Sequence, residues 1–307
     1  MLPETHHVRG IPVTLIHHAA NCNHNEPPGS LSALEKCLQS GVKALEIDLI
    51  PLANGSFALL HIDDLEADTN GKGSASQMKR EQIANLNYVV DGRVTNEKVG
   101  FLEGAMSLLQ KYPNASRLVL DLKPSTPLTQ AVLRGFMALI EPVKARILVN
   151  SMADWALRSL RKCAPDLSLG FDPLLYLDIV DDEPRPEDVP PFRVGAYGLL
   201  DDHPLSSYQW GSLGEYLAAR AGALLVQVPE GCEWFIRAEL LKISLDAGFD
   251  WIDFLHKNGV TVDAWTIDVN QSDHIAMAQF LIDHDVDELT TDKPAQLASQ
   301  LSVRTIF

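Results

Sequence analysis

Along the chain, short apolar runs alternate with longer stretches in which apolar residues recur every three or four positions. Residues 13–17 (VTLIH) are apolar and β-branched, the pattern of a buried strand. Ser30 then precedes Leu31, Leu34 and Leu38, a helix start that Gly41 ends. Residues 44–50 (ALEIDLI) form the next strand, and Asn54-Gly55 predicts a hairpin returning through 57–61 (FALLH). The rhythm resumes with strands at 118–123, 147–151 and 167–172, then at 223–228 (ALLVQV), 262–268 and 288–292. Helices are predicted between them, over 102–112, 128–140, 154–163, 247–258, 272–283 and 295–301.

The count is eight parallel strands, centred on His17, Glu46, Asp121, Asn150, Gly170, Val226, Trp265 and Thr291. Eight strand–helix units over ~250 residues or more predict an α/β fold, a single-domain TIM (β/α)8 barrel over 1–307. An open doubly wound sheet would carry a glycine-rich phosphate loop after its first strand, and here that position reads His-His-Ala-Ala-Asn. Two stretches fall outside the alternation. Residues 62–100 are polar and read as an excursion with one short helix, and an acidic, proline-rich surface loop surrounds 178–191.

Composition narrows the partners. The 307 residues carry 41 Asp+Glu against 25 Lys+Arg, a net charge of −16. An acidic surface repels phosphate backbones and anionic lipid, so nucleic acid and a polybasic membrane anchor are disfavoured. No apolar run approaches the ~20 residues that span a bilayer. The first ten residues lack an apolar core, so no signal peptide is expected and a cytoplasmic location follows. Cys22, Cys37, Cys163 and Cys232 are scattered and predict neither a disulfide framework nor a zinc knuckle. The oligomeric state is not legible.

In such a barrel the strand C-termini face the active site. Those positions hold His17 and His18, Glu46 and Asp48, His61, Asp121 and Lys123, and Trp265 with Asp268. Residues two apart on a strand face one side, so Glu46 and Asp48 can grip one cation, with Asp121 as a third oxygen ligand. An all-oxygen set suits Mg2+ or Ca2+. His18 and His61 flank it as an acid/base pair, and Lys123 offers an ammonium to an anionic phosphate. Each residue alone has a plainer reading. A histidine at a strand end is usually a satisfied polar group, Glu-x-Asp a solvated pair, and Trp265 a pocket wall. Inward carboxylates on so apolar a strand are harder to dismiss, because uncompensated buried charge is expensive. Neighbouring strand residues face opposite ways, so only one of His17 and His18 meets the mouth squarely. Together the groups point to phosphodiester cleavage.

These segments resemble the glycerophosphodiester phosphodiesterase family, within the phosphatidylinositol-phospholipase-C-like barrels. Glu46-Ile47-Asp48, Asn54-Gly55, Leu59-Leu60-His61 and Thr69-Asn70-Gly71 resemble that family's signature, as do Trp265-Thr266-Ile267-Asp268 and Thr291-Asp292-Lys293-Pro294. Two family arginines are replaced here by Ala19 and Ala67, and the third metal ligand, usually Glu, is Asp121. His18-Ala19-Ala20-Asn21 and Asp121-Leu122-Lys123 are instead similar to sphingomyelinase-D-like phospholipases. That likeness selects His18 over His17 and adds Asn21 to Lys123 and Trp265 as a substrate-binding residue. The resemblance implies a divalent cation on Glu46, Asp48 and Asp121 and a small glycerophosphodiester substrate cleaved by His18 and His61. The alternatives are lysophospholipid or sphingolipid cleavage, or a catalytically silent barrel that binds a phosphorylated ligand.

Overall fold

The computed structural model of the protein describes residues 5–8, 10–21, 26–177 and 211–303. The acidic loop around 178–191, Cys22, His24 and His203 lie outside the described residues. A short strand, β1 (Thr5–Val8), pairs antiparallel with β2 (Ile11–His17), which enters the barrel. The chain then forms α1 (Leu31–Gln39), β3 (Ala44–Pro51) and β4 (Phe57–Ala58). Ser30 caps α1 by accepting from the Ala33 N–H at 3.1 Å. The β3–β4 hairpin turns at Asn54-Gly55, where Gly55 has φ +81°, a value strained for any residue with a Cβ.

Residues 62–100 hold more order than one short helix. Two four-residue helices, α2 (Leu65–Asp68) and α3 (Arg80–Ile83), precede an antiparallel hairpin of β5 (Asn87–Val90) and β6 (Arg93–Lys98). The hairpin turns at Asp91-Gly92, both with positive φ. Leu60, Leu65, Ile83 and Tyr88 build a satellite core beneath it. The polar surface of β6 hid this hairpin from a reading based on apolar runs.

Alternation resumes with α4 (Leu102–Lys111), β7 (Arg117–Leu122), α5 (Gln130–Ile140), β8 (Ile147–Ser151), α6 (Asp154–Cys163) and β9 (Ser168–Phe171). It continues through α7 (Leu213–Gln227), β10 (Glu233–Arg237), α8 (Ala238–Asp246), α9 (Trp251–His256), β11 (Val262–Trp265), α10 (His274–Ile282), β12 (Glu288–Thr291) and α11 (Pro294–Val303). Around the barrel the strands run β2, β3, β7, β8, β9, β10, β11, β12, and β12 closes on β2 through Leu289–Leu15 and its neighbours. This is the expected closed eight-strand parallel barrel. The helices cover its outside with one extensive core of aliphatic and aromatic side chains. No described helix is long and apolar enough to cross a membrane.

Two expectations are corrected. Residues 223–228 are no strand: they end α7, where Val226 is 87% exposed and Leu224 is buried. Ser212 and Glu215 cap that helix reciprocally, so the apolar run continues a helix already begun. The sixth barrel strand is β10, whose sequence EWFIR turns Trp234 and Ile236 to the helices and Glu233, Phe235 and Arg237 to the interior. Its charged ends break the apolar signal. The helix expected over 247–258 is the shorter α9, and α8, which lies wholly before that range, was not expected. The second correction concerns the cysteines: Cys37 is disulfide-bonded, while Cys163 and Cys232 are free.

Inside the barrel, Ile16, Ala44, Val119, Leu148 and Phe235 form a narrow apolar floor. A Cβ at Gly170 would come within 2.6 Å of the Phe235 ring, so glycine on β9 makes room for that ring. Polar groups occupy both ends of the barrel, above and below this floor.

Candidate active site

Strand register assembles the upper end. Asp48 on β3 aligns with Asp121 on β7, and Asp121 aligns with Asn150 on β8. Glu46 lies one inward position below Asp48. One carboxylate oxygen from each of Glu46, Asp48 and Asp121 falls within 4.8 Å of the others. Glu46 and Asp48 are buried, at 6% and 4% exposure. Glu46 Oε2 accepts the Ala19 N–H at 2.8 Å, while Oε1 is buried without a hydrogen-bond partner among the described residues. Asn150 Nδ2 donates to Asp121 Oδ1 at 3.1 Å. Lys123 Nζ stands 2.7 Å from Asp48 Oδ1 and 3.4 Å from Asp121 Oδ2.

These charges set the titration. Burial, reinforced by the charge of Asp48, pushes the Glu46 carboxyl up to about 8. Burial also raises Asp121, against the pull of Lys123. For Asp48 burial acts upward too, but Lys123 and the histidines outweigh it and hold the carboxyl below its ordinary value. Burial alone would lower the Lys123 ammonium, yet Asp48 and Asp121 raise it, so it stays charged.

The histidines separate as alternation requires. His17 is buried with Nδ1 2.9 Å from the Asn21 carbonyl oxygen, and burial lowers it to about 4. His18 turns to the mouth. Its Nδ1 lies 2.8 Å from Asp292 Oδ1 and its Nε2 3.9 Å from Glu46 Oε2. Burial depresses this imidazole, but the Asp292 bond and the charges of Glu46 and Asp48 prevail and raise it to about 9. The turn that aims it uses left-handed backbone at Ala19 (φ +47°) and Ala20 (φ +48°), a conformation costing ~1–2 kcal/mol per residue. The Ala19 N–H to Glu46 bond offsets part of that cost.

His61 follows β4, with its ring centroid 6.3 Å from that of His18 and the rings nearly perpendicular. Asp68 Oδ2 accepts the main-chain N–H groups of His61 and Ile62 at 3.2 and 3.3 Å. Tyr88 braces the same segment by donating its hydroxyl to the Leu59 carbonyl at 2.8 Å. Asp292, Asp68 and Tyr88 were not on the candidate list. Asp292 sits in the Thr291-Asp292-Lys293-Pro294 segment, so its signal was present but carried no role.

Two cavities meet at the histidines. The larger, of about 530 Å3, is lined by Glu46, Asp121, Lys123, Asn150, Arg237 and Trp265 among others. The smaller, of about 320 Å3, is lined by Pro27, Pro28, Leu59, Leu60, Tyr88 and Asp292 among others. His18, Asp48 and His61 line both. Asn21 lines neither. Asp268 also lies outside both linings, with Oδ1 accepting the Asn270 N–H at 2.9 Å.

No family model matches the sequence. The chain is 22% identical over 156 residues to a glycerophosphodiester phosphodiesterase of Caldanaerobacter subterraneus subsp. tengcongensis, covering 50% of this chain and 62% of that protein. It is 25% identical over 163 residues to one of Bacillus altitudinis, covering 51% and 64%. The matched stretch thus spans less than two thirds of either curated relative. Among solved structures, a glycerophosphodiester phosphodiesterase of Parabacteroides distasonis superposes with a TM-score of 0.63 at 17% identity, over 94% of this chain and 97% of that one. An Oleispira antarctica phosphodiesterase, solved with its product sn-glycerol-3-phosphate, gives 0.62 at 19% identity over 94% and 96%. In sequence and in fold alike, the neighbours of this chain are glycerophosphodiester phosphodiesterases, and its barrel superposes on theirs.

Proposed function

We propose that the protein is a metal-dependent phosphodiesterase that hydrolyses glycerophosphodiesters to an alcohol and glycerol phosphate. The observation that carries this reading is the convergence of Glu46, Asp48 and Asp121 within 4.8 Å, beside two imidazoles whose centroids are 6.3 Å apart.

The donor set fits a hard divalent cation such as Mg2+ or Ca2+. All three donors are carboxylate oxygens, and Glu46 Oε1 is buried with no hydrogen-bond partner among the described residues, a costly state that a cation would relieve. Glu46, Asp48 and Asp121 would hold it. When bound, such a cation polarises a phosphoryl oxygen and offsets its charge.

His18 and His61 divide the proton transfers. One takes the proton from the attacking hydroxyl, of water or of a neighbouring substrate hydroxyl. The other delivers a proton to the leaving oxygen as its bond to phosphorus breaks. Asp292 holds His18 by Nδ1, which fixes the tautomer and leaves Nε2 to exchange protons at the mouth. Lys123 keeps the carboxylates in register. Because the histidines line both cavities, the scissile phosphorus belongs at their junction, with one ester arm in each.

A second reading, lysophospholipid cleavage of the sphingomyelinase-D type, draws support from the smaller cavity, whose proline, leucine and valine walls suit an apolar arm. Disulfides persist in oxidising compartments, so Cys37 weighs against the cytoplasmic location expected from the first residues. Parallel assays on glycerophosphocholine and lysophosphatidylcholine, with Mg2+, Ca2+ or chelator, test both readings. Cation-dependent turnover of the first substrate is expected. Exclusive turnover of the second would replace this reading by the other, and equal rates in chelator would end the metal mechanism.

A further inference from the structure

Lys123 was the expected partner for an anionic substrate, but its ammonium lies between Asp48 and Asp121. Drawing it onto a substrate would leave two buried carboxylates short of countercharge. The family's arginine beside the first histidine is Ala19 here, with no charge to offer. The larger cavity has one more cation among its described lining residues, Arg237, at the C-terminal end of β10.

In the strand order of the barrel, β10 stands opposite β3, which carries Glu46 and Asp48. Arg237 aligns with Trp265 of β11, so the two share one rim of the cavity. Its position is supported from behind. Arg237 Nε lies 3.5 Å from Glu239 Oε2, and Glu239 Oε1 lies 3.4 Å from His274 Nε2. His274 is anchored in turn, because its Nδ1 accepts the Asp268 N–H at 3.0 Å. That bond makes Nε2 the protonated nitrogen, the one that faces Glu239.

We propose that Arg237 is the substrate-binding residue that recognises the anionic phosphoryl group, from the wall facing the carboxylate cluster. A guanidinium presents paired N–H donors that match two phosphoryl oxygens, and unlike an ammonium it needs no rearrangement of the acids around Lys123. Glu239 and His274 act as positioning residues that hold the fork toward the cavity. The chain thereby recovers, on the opposite wall, the positive charge that Ala19 lacks.

This inference rests on the phosphodiesterase reading, and one set of measurements separates the two. Wild type, R237M and R237K are compared by steady-state kinetics on glycerophosphocholine and by calorimetric titration with sn-glycerol-3-phosphate, with Mg2+ present. R237M is expected to raise both KM and the product Kd at least tenfold, with a smaller change in kcat. R237K, which keeps the charge but not the fork, is expected to fall between. E239Q is expected to raise KM more weakly and leave kcat near wild type. Thermal melting reports whether each variant folds; should R237M not fold, R237K and E239Q carry the same readouts. Wild-type KM and Kd in the folded Arg237 variants would overturn the role of Arg237 while leaving the phosphodiesterase reading intact. A wild type that neither turns over substrate nor binds glycerol phosphate would overturn both.

Discussion

Both ends of the barrel set a cluster of buried acids around one cation, and they do so with different cations. At the N-terminal end, Arg117 reaches Glu288 at 2.8 Å and Glu233 at 2.7 Å, with Asp263 close enough to feel its charge. Thr290 donates its hydroxyl to Asp263 at 2.9 Å. Burial raises Glu288 to about 8 and Asp263 to about 7, much as it raises Glu46 at the other end. The guanidinium fork binds two carboxylates at once, with only its Nε buried and unpartnered among the described residues. At the C-terminal end Lys123 is a compact charge on a flexible stem. It meets Asp48 and Asp121 and leaves Glu46 Oε1 without a partner among the described residues, beside an open cavity. One cluster pairs its two glutamates with a cation of the fold, and the other leaves a buried carboxylate oxygen unpartnered among the described residues. Buried acids alone therefore do not single out a candidate site; an unpartnered carboxylate oxygen beside a cavity does.

The sharpest test of that contrast is a pair of substitutions with opposite signatures. At the mouth, H61A or E46Q is expected to lower kcat by ~10²–10⁴, the range for an acid/base group, with little change in melting temperature. At the base, R117M is expected to lower stability in urea unfolding, by less than the ~3–5 kcal/mol of a fully buried pair, because it strands two partly buried carboxylates without their countercharge. Its kcat/KM per folded molecule should stay near wild type. Loss of activity in R117M at full stability would abolish the distinction between a structural base and a catalytic mouth.

The same contrast explains what the sequence made legible. β3 and β7 could be read because their inward acids sit inside strongly apolar runs, so Glu46, Asp48 and Asp121 stood out. β10 was missed because its inward residues are Glu233, Phe235 and Arg237, and its charged ends look like loop. The misread strand thus supplies one member to each polar end. The roles of Asp292 and Asp68 were unreadable for a different cause. Each acts by holding a histidine across a long stretch of chain or through a main-chain N–H, and neither relation leaves a spacing in the sequence.

Cation binding should distinguish the ends at a smaller scale. A divalent cation at 100 times its Kd is expected to add ~2.7 kcal/mol to the stability of wild type, measured as a rise in melting temperature. E46Q should lose most of that rise, whereas E233Q, on the Arg117 cluster at the other end, should leave it unchanged. The effect should also depend on pH. Glu46 titrates near 8 in the cation-free protein, so binding below that pH must displace its proton. The melting shift should therefore be larger at pH 8.5 than at pH 6, and proton release should appear in calorimetry across buffers. A shift that is equal in E46Q and wild type would move the cation elsewhere.

The smallest effect, and the most local, concerns His18. In the cation-free protein its imidazole is raised to about 9 by Asp292, Glu46 and Asp48 against the opposing effect of burial. A folded-state value above the unfolded one near 6.5 stabilises the fold fully below pH 6.5 and loses that contribution as pH rises through 9. A cation on Glu46 and Asp48 cancels the charges that favour the imidazolium, so the His18 value should fall on adding Mg2+ or Ca2+. His256, whose Nε2 lies 2.8 Å from Asp287 Oδ2, provides an internal reference for the effect of bulk ionic strength. Imidazole resonances followed by NMR across pH, with and without cation and assigned through H18Q, make the comparison directly. If His18 and His256 respond alike, the cation is acting through bulk ionic strength and the mouth holds no site. If His18 alone moves, the unpartnered oxygen of Glu46 and the raised imidazole are two signs of the same missing charge.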